Sequence, residues 1–172
     1  MTNVIPSERA DVAPRVSGLS ARLADRGLLL GVALVTCLVS LPRFHALMLS
    51  ANERDARQAI ELLEGELAGN LTLAARGWPA LAALPSVEHR LVDLRSSADG
   101  RLATYHGYVL RIVQIEGRAG LMAWPAEPGR SGREAYLRRM HGETLASDDW
   151  SQIGFPPRAP QGPTGNGWRP LR

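Results

Sequence analysis

Four histidines, one cysteine and one adjacent pair of aspartates are the residues of this chain best suited to catalysis or metal binding. His45, His89, His106 and His141 fall in different segments, and none has a second ligand at helical or turn spacing. Metal sites need converging donors, so the pattern predicts surface or interface histidines, with no metal and no cofactor. On extended backbone the side chains of Asp148 and Asp149 point to opposite faces. That suits a solvated turn better than an acid/base couple. Cys37 is alone, which rules out an intrachain disulfide and a cysteine zinc cluster; within an apolar run a thiol behaves as a small hydrophobe. No serine sits in a G-x-S-x-G elbow, and Gly129-Arg130-Ser131-Gly132 lacks the length and the lysine of a phosphate loop. Asn70-Leu71-Thr72 matches a glycosylation acceptor, a three-residue pattern that is frequent by chance. All 20 basic residues are arginine, so Schiff-base and other lysine mechanisms are excluded. The residues predict a protein that is not an enzyme.

The remaining composition narrows the partners. A formal net charge of +3 would permit nucleic-acid binding, but the arginines are scattered from Arg9 to Arg172 with acids between them. Neither a basic stripe nor an aromatic stacking platform results, and no nucleic acid is expected. The 172 residues fit one ordinary domain with extensions.

The elements that would position these groups begin with a membrane segment. Leu28 to Pro42 carries no charge, yet the 14 residues before the proline span only about 21 Å as a helix, short of a hydrocarbon core of about 30 Å. Extension to Leu49 gives about 33 Å, provided that Arg43 and His45 snorkel to the far interface. Pro42 removes one helical hydrogen bond near that end. Arg9, Arg15, Arg22 and Arg26 precede the segment. They predict a cytoplasmic N-terminus, an exported C-terminal part and residence in the inner membrane. Three other readings fit the same stretch. A cleaved signal peptide would want an A-x-A site and a shorter leader; a lipoprotein would want a small residue where Thr36 precedes Cys37; a buried soluble helix would not want arginines directly before it.

Beyond the span, residues 50–69 have the clearest amphipathic pattern. Ser50 and Glu53 have capping-box spacing, although the helix can equally run on unbroken from the membrane. Ala56, Ile60, Leu63 and Leu67 form one apolar stripe, with Asp55, Arg57, Gln58, Glu61 and Glu64 on the other side. Glu53 and Arg57 are spaced for an i,i+4 pair, and Gly69-Asn70 is a stop. Short helices are predicted over Pro79 to Leu84 and Val87 to Leu94, followed by an Asp99-Gly100 turn. Strands are predicted over Leu102 to Tyr105, Tyr108 to Ile115, Ala119 to Trp124, Arg133 to Arg139 and Glu143 to Ala146. The second of these alternates so as to be half-buried or covered on both faces. Short connections make the strands an antiparallel meander, interrupted by a Pro/Gly loop from Pro125 to Gly132. The segment from Ile153 to Arg172 holds five prolines and four glycines and is predicted to be disordered, as is the leader, residues 1–26.

With these elements in order, the chain resembles the bacterial type IV pilin-like and pseudopilin proteins. The likeness rests on the charged leader, a single apolar helix, Ala51-Asn52-Glu53 at its outer end, the amphipathic continuation and the small sheet. It is similar in particular to a group of pilin-like proteins with a Gly-Tyr strand, an Ala-x-Pro strand end and a Pro-Gly-x-Ser-Gly turn. Here these are Gly107-Tyr108, Ala123-Trp124-Pro125 and Pro128-Gly129-Arg130-Ser131-Gly132. Such proteins are cut after a Gly followed by Phe or Met and carry Glu at the fifth mature position, whereas Gly27 is followed by Leu28 and the fifth position is Val32. The resemblance implies a non-catalytic subunit that meets pilin-like or secretion-system partners through its N-terminal helix.

The resulting expectation is an α+β protein. Residues 1–26 are a leader, 27–49 a transmembrane helix, 50–69 an amphipathic helix packed on the sheet, 70–152 a small exported domain and 153–172 a tail. Its partners are the lipid bilayer and other subunits. Candidate contact residues are Ala56, Ile60, Leu63 and Leu67 on the helix, and Pro125, Pro128, Gly129 and Gly132 on the loop. The alternative is a membrane-tethered periplasmic binding or sensing module that uses the same loop.

Overall fold

The computed structural model describes residues 17–70, 72–115, 117–159 and 167–171. The chain divides into two compact units, Met1–Arg43 and Phe44–Arg172, and helix α1 (Ser17–Gly69) runs through the boundary.

In the first unit the described residues are all helical. The helix begins at Ser17, inside the stretch expected to be an unstructured leader, because Ala, Leu and Arg dominate there and no proline intervenes. Residues 1–16 of that leader lie outside the described residues. Pro42 lies within the helix, and Thr36 Oγ1 donates to the Val32 carbonyl at 2.8 Å, so the hydroxyl needs no water. Of the two alternatives at residue 50, the unbroken helix is the one observed: Ser50 caps nothing, and α1 continues to Gly69.

The second unit is an antiparallel sheet with helices on one face and the C-terminal segment on the other. Three short helices follow α1: α2 (Thr72–Arg76), α3 (Trp78–Ala82) and α4 (Pro85–Arg90). Asn70 Oδ1 accepts from the Thr72 amide and hydroxyl, so the apparent glycosylation motif starts α2. Pro79 and Pro85 each stand in a first helical turn, where a missing N–H costs nothing. The sheet comprises β1 (Arg95–Ser96), β2 (Leu102–Tyr105), β3 (Tyr108–Ile115), β4 (Arg118–Pro125), β5 (Ala135–Arg139), β6 (Thr144–Ser147) and β7 (Arg169–Pro170). The strands lie in chain order, every neighbouring pair antiparallel, as a meander.

Register divides the side chains between two cores. One row runs across five strands as Ala103, Leu110, Ala123, Tyr136 and Ala146. This row packs with Ala56, Ala59, Ile60, Leu63 and Leu67 of α1 and with Trp78, Leu81 and Val87 of the short helices. On the opposite face Met122, Trp124, Ala135, Leu137 and Leu145 pack against Ile153, from α5 (Trp150–Ile153), and against Trp168. Strand β3 is buried on its α1 face at Tyr108 and Leu110 and only partly covered on the other, where Val109 and Val113 are half-buried and Arg111 is exposed.

The expected disordered tail is corrected by this second core. Ile153 and Trp168 are buried, and β7 pairs with β6 through Leu145↔Pro170 and Ala146↔Arg169. Proline is tolerated in β7 because that strand stands at the sheet edge, where one side of its backbone needs no ladder partner. Residues 160–166 of the tail lie outside the described residues.

Candidate functional site

The apolar stripe and the Pro/Gly loop are the sequence-predicted contact residues, and the structure accounts for them differently. Ala56, Ile60, Leu63 and Leu67 are fully buried against the sheet. Their apolar surface is therefore satisfied within the domain, and the partner contact expected of them is corrected to an internal one.

In the loop, Pro125 and Gly132 are buried, and Pro128 and Gly129 are exposed. The loop is tied to α1 at two points. Asn52 Nδ2 donates to the Ser131 carbonyl at 3.0 Å, and Glu53 Oε1 accepts from the Arg133 amide at 2.9 Å. Its turn is closed internally by Ser131 Oγ, which accepts from the Glu127 amide at 3.0 Å, and by an Arg130–Glu127 salt bridge of 2.8 Å. Gly132 has no room for a Cβ, because the edge of the Tyr108 ring occupies that position. At Gly107 (φ +78°) a Cβ would stand 2.9 Å from the Ser131 Cβ. The Gly-Tyr strand start and the Ser-Gly turn end thus form one packing unit.

A second carboxylate repeats the tie three helical turns later. Glu64 Oε1 accepts from the His141 amide at 2.8 Å, and its other oxygen lies 3.6 Å from Arg138 Nη2. His141 adopts φ 55° in the β5–β6 turn, which aims its N–H at the helix. Glu53 and Glu64, both buried, therefore hold the two ends of β5 to α1. Periodicity places Glu64 on the solvent side. The backbone N–H it satisfies, 77 residues away, overrides that pattern.

The two ties enclose a tyrosine pair. Tyr108 Oη donates to the Glu134 carbonyl at 3.1 Å, Tyr136 Oη donates to Glu134 Oε2 at 3.2 Å, and the rings stack at 6.0 Å. Burial raises both phenols well above the usual tyrosine range, with the neighbouring Tyr136 adding to the effect on Tyr108 and the Glu134 charge to that on Tyr136. Neutral hydrogen-bonded phenols of this kind fix packing.

The histidines remain apart. His45 and His89 are exposed on helices. His106 stacks on Tyr105 and is held between two carboxylates, with Nδ1 2.6 Å from Asp55 and Nε2 3.4 Å from Asp93. Asp55 comes from α1, 51 residues away, so no local spacing announces the cluster. Among the described residues no three His, Cys, Asp or Glu side chains converge as metal ligands. Asp148 and Asp149 diverge: Asp149 Oδ1 caps α5 through the Ser151 amide, while Asp148 pairs with Arg169 at 2.6 Å.

The geometry defines a small α+β domain with an antiparallel meander, reached through a helix that is apolar and long enough to cross a membrane. Comparison with protein families, with curated proteins and with solved structures finds no match to this chain.

Proposed function

We propose that the chain is a bitopic inner-membrane protein whose exported domain acts without catalysis, as a pilin-like or secretion-associated subunit. The observation that carries the membrane reading is the surface of α1 between Leu30 and Met48. Ten large apolar side chains there are between 56% and 73% exposed. At 100° per residue they occupy the whole circumference, so no single protein face could cover them, and lipid would. Arginines stand before the span and no acidic residue lies between Arg26 and Asn52, a distribution that favours an N-in, C-out orientation.

In this reading, partners are met laterally within the bilayer, through the same helix that provides the anchor, and the exported domain adds contacts of its own. Val32 at the fifth position after Gly27 supplies no carboxylate to a neighbour's N-terminal amine, so association rests on helix packing. Membrane fractionation with protease protection tests the placement. The expected result is a carbonate-resistant membrane protein whose C-terminal domain is digested only from the outer side; a freely soluble cytosolic product overturns it. Mass spectrometry of the mature N-terminus tests the subunit role, with cleavage after Gly27 expected for pilin-type processing.

A further inference from the structure

Arg138 and Arg111 both stand in strands that bear the apolar cores, and they differ in their partners. Arg138 faces the α1 side of the sheet, where Thr144 Oγ1 accepts from Nη1 at 3.0 Å and Glu64 lies 3.6 Å from Nη2. Arg111 occupies the other face, in the row Leu102, Arg111, Met122, Leu137 and Leu145. It is the one charge in that row, and among the described residues it forms no salt bridge. A charge placed in an apolar row without a partner is the kind of local inconsistency that marks a site.

Arg111 opens into a groove of about 760 Å³ between β3 and the segment after α5, a volume within the range of small-molecule sites. Arg158 lies across the groove and likewise lacks a carboxylate partner among the described residues. Val113, Met122, Phe155 and Pro156 supply apolar wall, and no acidic residue contributes to the lining. The far wall is fixed: the Arg158 amide donates to the Ile153 carbonyl at 2.9 Å, and Phe155 meets Trp150 edge-on at 5.8 Å.

We propose that this groove binds an anionic amphiphile, a single carboxylate or phosphate group on an apolar body. The two guanidiniums would take the anion, each through charge-assisted hydrogen bonds, while the body lies along Val113, Met122 and Phe155. Such a site is independent of any subunit role in the membrane.

The test uses the full chain in phosphatidylcholine nanodiscs and equilibrium dialysis of radiolabelled octanoate, with empty discs as blank. Saturable uptake approaching one octanoate per chain is expected, displaced by unlabelled octanoate and not by octanol. Arg111→Gln and Arg158→Gln should each weaken it about tenfold or more, as loss of a charge-assisted hydrogen bond implies. Both side chains are exposed, and an unchanged thermal melt would show that the variants remain folded. Repeating the dialysis in discs containing phosphatidylglycerol separates two sources of the anion: retained uptake points to a free carboxylate, suppressed uptake to a lipid headgroup. Absence of saturable uptake, equal displacement by octanol, or full uptake by the double variant would overturn the proposal. Full uptake by the double variant is the outcome if the arginine stems only cover apolar sheet surface.

Discussion

Helix α1 changes character along its length. From Leu30 to Met48 its large apolar side chains are exposed on every side; from Leu49 to Leu67 the stripe of Leu49, Ala56, Ala59, Ile60, Leu63 and Leu67 lies on one face and is buried. The backbone is the same α-helix in both stretches. What differs is the solvent each surface requires: a hydrocarbon phase for the first, the face of one sheet for the second. The second stretch also buries two carboxylates, at Glu53 and Glu64, and each of them accepts from a strand-end amide. A helix face can thus be polar in sequence and interior in structure where it meets strand ends.

Substitutions in the two stretches should separate these roles. The largest effect is expected for Leu63→Ala, which leaves a cavity in the core between α1 and the sheet and should cost about 2–5 kcal/mol of domain stability, read as a lowered melting temperature with membrane retention unchanged. Leu38→Asp is the reverse case. A carboxylate near the middle of the span raises the cost of insertion by about 3 kcal/mol, so membrane retention falls in a fractionation assay while the domain's melting temperature holds. Glu64→Ala should cost about 2–3 kcal/mol by leaving the His141 amide and Arg138 without their acceptor, whereas Glu61→Ala, exposed one turn away, should stay within about 0.5 kcal/mol in the same melt.

The smallest effect belongs to the sheet edge. Arg169 holds the Asp148 carboxyl below the usual carboxylate range, chiefly through their hydrogen bond. A depressed value in the folded state stabilises at pH above the ordinary carboxylate range, and that contribution disappears as pH falls through the folded value, below about pH 4. The pair is solvent-exposed, so a few tenths of a kcal/mol are expected. Acid titration should loosen β7, seen in the fluorescence of neighbouring Trp168, and Arg169→Gln should remove that step.

Much of the architecture is legible in sequence because it rests on periodicity. The α1 stripe, the alternation of Tyr108 to Ile115 and the short connections between strands predict the helix, the long strand and most of the meander. Strands β1 and β7 are two residues each, too short to show a period, and both are held by pairing with a neighbouring strand. Helices α2 and α5 depend on caps from Asn70 and Asp149 rather than on any amphipathic run. The carboxylate ties are hidden for a different reason: each joins residues 77 or 80 positions apart, and the acceptor at Glu64 is one that helical periodicity assigns to water. Of the groove, sequence shows only that Arg111 interrupts an apolar alternation; its opposite wall comes from the Pro/Gly-rich segment that composition predicts to be unstructured.

That wall also fixes an order of events during synthesis. The sheet's second face acquires its cover only when Ile153 and Trp168 have been made, after all of β1 to β6, and β7 can add to the edge only then. Until Trp168 is made, Met122, Trp124, Leu137 and Leu145 lack part of their cover, whereas the buried residues of the α1 face, from Ala56 to Ala146, all precede it. A chain halted before Trp168 would therefore expose part of an apolar sheet face that the folded domain covers.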